Sequence, residues 1–294
     1  MPSNEALTPK PQILLTGLAI GESPRWHAGR LWLSNWGTGE IVTVDPAGRS
    51  EAALRLPFST FPVSIDWLPD GRLLIVSTSA QPLLRQETDG TLVPYADLSA
   101  LPARVWNEIV VDGRGSAYIN GSNFDVLASE QPVSGIIALV RPDGSARQVA
   151  EGIAFPNGMA VTPDNATLII AESWGHTLTA FSIAADGSLS DRRVWADLGD
   201  GAPDGICIDA AGAVWLADVP HRCCLRVREG GEVLQRVELE RGCFACMLGG
   251  ADGKTLFILA AEWAGFEGMA GAKPTGQVQA VRVSVPGAGW PDRK

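Results

Sequence analysis

Four polar residues each stand at the start of a similar short segment and could together bind a cation. Asn157 opens NGMAVTPDNATLIIAES, and Asp204 opens DGICIDAAGAVWLAD, which follows the same pattern. Glu22 and Asn107 hold the same place in ESPRWHAGRLWLSN and NEIVVDGRGSAYIN. Two carboxylates and two amides offer only oxygen ligands, and such a set suits a hard divalent ion such as Ca²⁺, Mg²⁺ or Mn²⁺.

These segments belong to a repeat that runs through the whole chain. Two further copies, VSIDWLPDGRLLIVS and ACMLGGADGKTLFILA, place the six starts at residues 22, 63, 107, 157, 204 and 245, which are 41 to 50 residues apart. Each copy has an alternating strand, a turn rich in Asp and Gly, and a second apolar strand. Between the copies lie further strand–turn–strand segments such as IIALVRPDGSARQVA. One inner and one outer hairpin together have the size of a propeller blade.

The repeat predicts an all-β fold, a six-bladed β-propeller with four antiparallel strands per blade. PQILLTGL near the N-terminus and GQVQAVRVSV near the C-terminus are expected to share one blade. Their pairing would close the ring and remove the last open sheet edges. Residues 1–294 would form a single domain, with residues 1–10 as a flexible N-terminal segment.

Charge and hydropathy exclude several classes of function. The net charge of −10 argues against a nucleic-acid partner, because phosphate binding needs clustered Lys and Arg. No apolar run reaches about 18 residues, and the N-terminus lacks the basic and apolar regions of a signal peptide. We therefore expect a cytoplasmic protein without membrane contact. We expect a monomer or a weak homo-oligomer.

Five cysteines lie in the last third of the chain, at positions 207, 223, 224, 243 and 246. In a cytosolic protein their simplest role is that of small buried side chains. Cys243 and Cys246 have C-x-x-C spacing, which leaves a zinc–thiolate site as the alternative, although the second half of a zinc-ribbon pattern is missing.

A propeller would bring the six segment starts together, because the innermost strand of each blade lines the central channel. The resulting ring consists of Glu22, Val63, Asn107, Asn157, Asp204 and Ala245. Side-chain oxygens that face a channel are costly to desolvate without partners, and a cation is the economical partner for four of them. The alternative is that these residues only cap turns at strand starts, as Asn and Asp often do.

The stretches GESPRW, FPNGMAVTPD and APDGICIDAAGAVWLAD resemble the regucalcin (senescence marker protein), gluconolactonase and luciferin-regenerating-enzyme family, from about Gly17 to Val285. The resemblance implies a six-bladed propeller with one catalytic divalent metal in the channel. We expect Ca²⁺, with Mg²⁺, Mn²⁺ or Zn²⁺ as alternatives. The positions that match the family's metal ligands are Glu22, Asn107, Asn157 and Asp204.

The third-blade stretch ARVWNEIVVD departs from the family pattern. Glu108 and Ile109 stand where the family commonly has Asp-Gly. Val105 stands where regucalcin-like members have a sugar-contacting Arg, and Arg104 is one residue further out. Specificity for a sugar lactone therefore does not follow from the resemblance.

The resemblance implies a metal-dependent lactonase with a small-molecule lactone as substrate. The metal would polarise the lactone carbonyl as a Lewis acid. Asp204, kept ionised beside the cation, would bind it and also act as general base for the attacking water. Glu22 would mainly balance charge, and Asn107 and Asn157 would be neutral ligands that also touch substrate.

The second strand of each inner hairpin runs back toward the ring, so the residues just after it should surround the mouth of the pocket. These residues are Asn35, Trp36, Asn120, Glu172, Trp174, Asp218, Glu262 and Trp263. Their tryptophans, with Trp106, would make an apolar or ring-stacking wall, unless they pack between blades. Substrate contacts are also expected from Glu108, His176 and His221, although the two histidines could be ordinary loop residues.

Two alternatives to lactone hydrolysis remain open. A phosphotriester could be hydrolysed with the same polarising metal, and a non-catalytic propeller could bind calcium or another ligand without turnover. A serine-based scheme has little support, because the chain has only three histidines and lacks a G-x-S-x-G elbow before a helix.

Overall fold

The computed structural model describes residues 10–57, 62–78, 83–124, 130, 133–265 and 274–289. Within these residues the chain forms six antiparallel sheets of four strands each and no helix. This confirms the predicted six-bladed β-propeller. No helix in the described ranges is long and apolar enough to cross a membrane. Residues 1–9 of the predicted N-terminal segment lie outside the described residues.

Each blade runs from an inner strand at the channel to an outer strand at the surface. The first three blades contain β2–β5 (Ile20–His27, Arg30–Trp36, Glu40–Val44, Ser50–Arg55), β6–β9 (Val63–Trp67, Leu73–Ser77, Leu83–Gln86, Leu92–Pro94) and β10–β13 (Val105–Val111, Ala117–Ser122, Gly135–Val140, Ala146–Ile153). The fourth and fifth contain β14–β17 (Pro156–Val161, Thr167–Glu172, Thr177–Ile183, Leu189–Asp197) and β18–β21 (Pro203–Ile208, Val214–Asp218, Cys223–Val227, Val233–Glu238). The sixth contains β22 (Gly242–Gly249), β23 (Thr255–Ala261), β24 (Gly276–Arg282) and β1 (Gln12–Leu18).

Burial decreases from the inside of each blade to the outside. The second strands β7 and β19 are buried at every position, because neighbouring blades cover both of their faces. The outermost strands β5 and β21 are mostly exposed. Between the second and third blades, Leu74 and Val76 pack in one cluster with Ile109 and Ile119. The hydrophobic core is therefore a series of layers between blades.

The turns of the inner hairpins form as their Asp and Gly residues dictate. In the third blade, Asp112 Oδ1 accepts a hydrogen bond from the backbone N–H of Ser116 at 2.9 Å, and Gly115 adopts a φ of +83°. Asp209 and Gly212 hold the same places in the fifth blade. A carboxylate that caps the turn, followed by a glycine in the left-handed region, lets the chain reverse tightly.

The sixth blade joins the two ends of the chain. β1 pairs antiparallel with β24, from Gln12 opposite Ala280 to Leu18 opposite Gly276. β1 is therefore the outermost strand of a blade whose other three strands come from the C-terminal part of the chain. The pairing confirms the predicted closure of the ring.

Candidate functional site

A β-bulge interrupts each inner strand that carries one of the four predicted metal ligands. The pairing register shifts between Glu22 and Arg25, between Trp106 and Ile109, between Pro156 and Met159, and between Pro203 and Ile206. Glu22 begins the first shift, and the other three ligands lie inside theirs. The inner strand β6, which has Val63 at the ring position, pairs without a shift, whereas β22 also has one, between Cys243 and Ala245. A bulge adds an extra residue and redirects the side chains beside it, so these bulges let polar side chains face the channel.

Two glycines let the bulged strands approach each other closely. A Cβ atom on Gly158 would lie 2.6 Å from the carbonyl oxygen of Asp204, and one on Gly205 would lie 2.5 Å from the Cβ of Ala245. No side chain fits at either place. The glycines that follow Asn157 and Asp204 therefore allow the fourth, fifth and sixth blades to meet at the channel.

The bulges border a cavity of about 330 Å³ at the end of the channel where the inner strands begin. Its wall includes six residues predicted from the sequence as site residues, which are Glu22, Trp36, Asn107, Asn157, Trp174 and Asp204. The predicted rim residue Trp263 also lines it. The volume lies in the range of small-molecule sites, roughly 300–1,000 Å³.

Hydrogen bonds to the protein orient the two amides. Asn107 Nδ2 donates to the carbonyl oxygen of Pro156 at 3.0 Å and lies 3.4 Å from Asn157 Oδ1. Asn157 Nδ2 donates to Ser173 Oγ at 3.3 Å, and that hydroxyl donates to the carbonyl oxygen of Pro203 at 2.7 Å. Because their nitrogens are engaged by neighbouring groups, both amides are oriented to offer oxygen to a ligand.

The two carboxyl groups resist ionisation when no cation is bound. Burial raises the pKa of Glu22 well above its ordinary value, and the nearby charges of Asp204 and Glu108 raise it further. Burial likewise raises the pKa of Asp204, with an added contribution from Glu108, while a hydrogen bond from Asn157 opposes the rise. A bound cation would reverse this effect, since an adjacent positive charge favours the ionised form.

The donor set fits a hard divalent cation only as a mixed set of carboxylates and amides. In the described part of the chain, no three His, Cys, Asp or Glu side chains are grouped so that they could hold a metal ion. The candidate set contains two acidic side chains and depends on its two amides. Its oxygens are the ligand type that Ca²⁺ and Mg²⁺ prefer. All five cysteines are buried free thiols.

Glu108 belongs to a buried charge cluster and is not among the described residues that line the cavity. Its Oε1 accepts hydrogen bonds from Ser23 Oγ at 3.0 Å and from Arg25 Nη2 at 3.2 Å. Arg25 Nε also lies 3.5 Å from Asp66. Arg25 and Asp66 line a second cavity of about 400 Å³ toward the other end of the channel. The cluster therefore lies between the two cavities.

Trp106 and Asn120 are buried behind the cavity wall. Trp106 is 3% exposed and packs in the core between the second and third blades, with Leu74 and Ile109 as neighbours in the same cluster. Asn120 is fully buried, and its Nδ2 donates to the backbone carbonyl of Asn157 at 2.7 Å. Asn120 thus supports the backbone of a predicted ligand from the adjacent blade.

The two candidate histidines hold loops, and neither is among the described lining residues. His176 Nδ1 lies 2.8 Å from the carbonyl oxygen of Gly201. His221 Nδ1 lies 3.0 Å from the Asp218 carboxylate, and its Nε2 lies 3.6 Å from Asp200. These contacts fasten the segments that follow β15 and β19.

Three rim residues share a different role, which is to bind a residue one or two positions before the inner strand of the same blade. The bonds run from the Ala19 N–H to Asn35 Oδ1 at 2.9 Å, from the Ala154 N–H to Glu172 Oε2 at 2.7 Å, and from the Ala202 N–H to Asp218 Oδ2 at 3.2 Å. Glu262 is exposed and pairs with Arg241 at 3.1 Å. Three of the six blades therefore share this bracing interaction as well as a ligand position.

Three phenylalanines that the sequence analysis did not identify complete an aromatic wall. Phe155 stacks on Trp174 with ring centroids 4.3 Å apart, and Phe124 lies 5.6 Å from Trp174. In the sixth blade, Phe244 and Trp263 meet edge to face at 5.7 Å. Phe155 and Phe244 stand one or two residues before a ring position, and this spacing was the available signal. Phe124 has no comparable signal.

Known proteins share this fold and much of this sequence pattern. Residues 20–262 match the sequence model of a protein family described as the SMP-30/gluconolactonase/LRE-like region. The chain is 24% identical to a pentonolactonase of Haloferax volcanii over 88% of this chain and 87% of that protein. It is 32% identical to a 6-deoxy-6-sulfogluconolactonase of Pseudomonas putida, over 52% of this chain and 55% of that protein. A solved structure of a calcium-binding protein, regucalcin, from Agrobacterium tumefaciens has the same fold, with a TM-score of 0.78, 23% identity and 95% of each chain covered.

Proposed function

The chain belongs to the SMP-30/gluconolactonase/LRE-like family, and on this premise we propose that it is a divalent-metal-dependent hydrolase that opens a lactone ring. The relatives named pentonolactonase and 6-deoxy-6-sulfogluconolactonase support this reaction class. The observation that carries the proposal is that Glu22, Asn107, Asn157 and Asp204 line one cavity large enough for a small ring.

Glu22, Asn107, Asn157 and Asp204 would hold the cation. We propose Ca²⁺, with Mg²⁺, Mn²⁺ or Zn²⁺ as alternatives, and the naming of a structural relative as a calcium-binding protein supports this choice. When bound, the cation supplies Lewis acidity that polarises the lactone carbonyl and stabilises the developing oxyanion. Beside that charge, the carboxyls of Glu22 and Asp204 stay ionised near neutral pH.

Asp204 is the general base in this proposal. Its carboxylate removes a proton from water as the water oxygen bonds to the carbonyl carbon. The bond between that carbon and the ring oxygen then breaks, and the proton passes to the leaving alkoxide, which gives an open-chain hydroxy acid. The Asn157 amide, which lowers the pKa of Asp204, helps to keep this carboxylate ionised for the transfer.

The remaining residues bind substrate or hold the site in place. Trp36 and Trp174 would contact the lactone from the cavity wall, and the Asn107 amide would both bind the cation and touch the substrate. Asn120 would act by holding the carbonyl of Asn157. The other predicted contacts would support the site indirectly. Trp106 would do so from the core between blades, and Glu108 from the buried charge cluster. His176 and His221 would do so by holding loops.

The variant Asp204→Asn tests the assigned base. We expect its kcat for lactone opening at saturating Ca²⁺ to fall by at least about 100-fold, because positioned acid–base groups contribute roughly 10²–10⁴-fold. Proton release from δ-valerolactone and related lactones measures the rate, and mass spectrometry measures bound metal. Asp143→Asn, which changes an exposed turn carboxylate that caps Ser145, is the matched control.

Each outcome of this comparison is informative. A kcat of Asp204→Asn that equals that of Asp143→Asn would contradict the assignment of the base. If the kcat of Asp204→Asn recovers when Ca²⁺ is raised above the concentration that saturates the unaltered protein, Asp204 acts only as a ligand. Bound metal in the unaltered protein without turnover of any lactone would favour a non-catalytic binding protein.

A further inference from the structure

We propose that this site takes a lactone that carries an aryl or alkyl substituent, in preference to a polyhydroxylated sugar lactone. The inference rests on the lactone-opening activity proposed above, and it concerns the part of the substrate that lies away from the reacting carbonyl. It is carried by the separation of polar and aromatic groups in the cavity, with oxygens at the ring positions and aromatic rings on the walls.

Aromatic rings line the cavity on several sides. Phe124, Phe155 and Trp174 form one continuous surface, with centroid distances of 4.3 to 6.1 Å within the group. Phe244 and Trp263 form a second surface in the sixth blade. Faces and edges at these angles accept another aromatic ring by stacking or by edge-to-face contact. A flat apolar substituent can therefore be enclosed from more than one side.

Several polar side chains of the wall already have partners within the protein, whereas Thr78 Oγ1 has none among the described residues. Trp36 Nε1 donates to the carbonyl oxygen of Val63 at 2.7 Å. Ser173 Oγ donates to the carbonyl of Pro203 at 2.7 Å, and Ser122 Oγ to that of Phe124 at 3.5 Å. A sugar lactone can stack its C–H face on tryptophan, but its hydroxyl groups project from the ring edge. Each hydroxyl that is buried without a partner weakens binding.

No basic side chain is among the described residues that line the cavity. Arg104 forms an ion pair with Glu130 and is not among the described lining residues, whereas its neighbour Val105 lines the cavity. His221 is held beside Asp218 and Asp200. Basic groups that could recognise an anionic substituent are thus absent from the described wall. An uncharged apolar substituent matches the surface that remains.

The test compares three lactones with the same six-membered ring. They are δ-valerolactone, its derivative with a phenyl group on the carbon that bears the ring oxygen, and D-glucono-1,5-lactone. Each kcat/KM is divided by the rate constant for hydrolysis by hydroxide, so that intrinsic reactivity cancels. We expect the normalised value for the phenyl lactone to exceed that for gluconolactone by about 10- to 100-fold, the range that apolar pocket contacts supply.

Substitutions in the wall link this preference to the aromatic surface. Trp174 is 41% exposed, so its truncation is compatible with folding. We expect Trp174→Ala to lower the ratio of phenyl lactone to δ-valerolactone about tenfold, and Trp174→Phe to retain most of it. Val194→Ala on the outer strand of the same blade, where Val194 is 63% exposed, should leave the ratio unchanged.

The outcomes separate this inference from the proposed function. Preferred opening of the phenyl lactone, with a ratio that depends on Trp174, supports the assignment. Preferred opening of gluconolactone overturns the substrate class and leaves the lactonase proposal standing. Equal ratios for Trp174→Ala and Val194→Ala overturn the role given to the wall. Opening of none of the three lactones overturns both proposals.

Discussion

At the scale of single residues, the channel holds two carboxyl groups whose pKa values are raised by burial. Burial is the main cause of the raised pKa at both Glu22 and Asp204, and the charge of Glu108 adds to each. Arg25 lowers the pKa of Glu22 only as a minor cause, and its guanidinium is already paired with Glu108 and Asp66. Arg25 therefore does little to offset the burial of Glu22, and a cation bound beside both carboxyls would favour their ionised forms.

This arrangement predicts an unusual pH dependence of stability in the cation-free protein. A carboxyl with a raised pKa binds more protons in the folded state than in the unfolded state. Its stabilising effect is therefore complete below the unfolded pKa of about 4 and is lost as pH rises through the window up to the folded pKa. We expect the free energy of unfolding, measured by urea denaturation in EDTA, to fall as the pH rises above about 4.

Two comparisons isolate the contribution of the site. Added Ca²⁺ should restore stability at about pH 7, because it binds only the folded protein. The double variant Glu22→Gln/Asp204→Asn should lose the response to Ca²⁺ and most of the fall with pH, while the raised pKa of the buried Asp112 leaves it a smaller fall. Carboxyls with lowered pKa, such as Asp252, act below about pH 4 and do not obscure the effect. The same pH profile for the double variant and the unaltered protein would contradict this account.

At the scale of elements, the ligand positions depend on bulged inner strands that nearly touch. Gly205 follows Asp204 in β18, and a Cβ there would lie 2.5 Å from the Cβ and 2.7 Å from the Cα of Ala245 in β22. One of these neighbours is backbone, so it cannot move aside as a flexible side chain would. The place of the Asp204 carboxylate is therefore fixed by the contact between two blades.

We predict that Gly205→Ala destabilises the protein by about 1–3 kcal/mol, the usual cost of forcing extra atoms into a packed region. It should also reduce Ca²⁺ affinity, because the bulge beside Asp204 must shift. Thermal unfolding and calorimetric titration measure the two effects. The double variant Gly205→Ala/Ala245→Gly removes the contact between the two Cβ atoms and should recover part of both losses. Unchanged stability of Gly205→Ala would contradict the close approach.

The blades could be predicted from the sequence because their signals are local and repeated. Asp–Gly turns such as Asp112–Gly115 and alternating apolar residues recur at similar spacing, so each copy strengthens the interpretation of the others. The repeat also identified the ring positions that the structure brings to one cavity. The direction of Trp106 could not be predicted, because a bulge changes which face a side chain takes. Likewise, the position of Phe124 depends on contacts with another blade.

At the scale of the whole molecule, the ring is closed by a strand from the opposite end of the chain. β1 covers the edge of β24, and Leu18 at its end is buried in the cluster of the first and sixth blades. Without β1, the backbone N–H and C=O groups of β24 would form an open sheet edge. Such edges pair with other chains.

We predict that a chain beginning at Ala19 has a lower Tm and forms dimers or larger assemblies. The exposed edge of β24 and the lost burial around Leu18 are the reasons. A chain beginning at Lys10 keeps β1 and serves as the control, which we expect to be monomeric. Light scattering after size-exclusion chromatography and thermal unfolding measure the difference. A monomeric chain from Ala19 with the Tm of the control would contradict the role given to closure.

The most direct test of the central claim is lactone opening by one preparation before and after removal of its metal. The protein is stripped with EDTA, checked by mass spectrometry for residual metal, and assayed with and without added Ca²⁺, Mg²⁺, Mn²⁺ or Zn²⁺. We expect the stripped protein to lose at least about 100-fold in kcat/KM, and one of these ions to restore it. The Glu22→Gln variant should need a higher concentration of that ion. Full activity in protein shown to contain no metal would contradict the account.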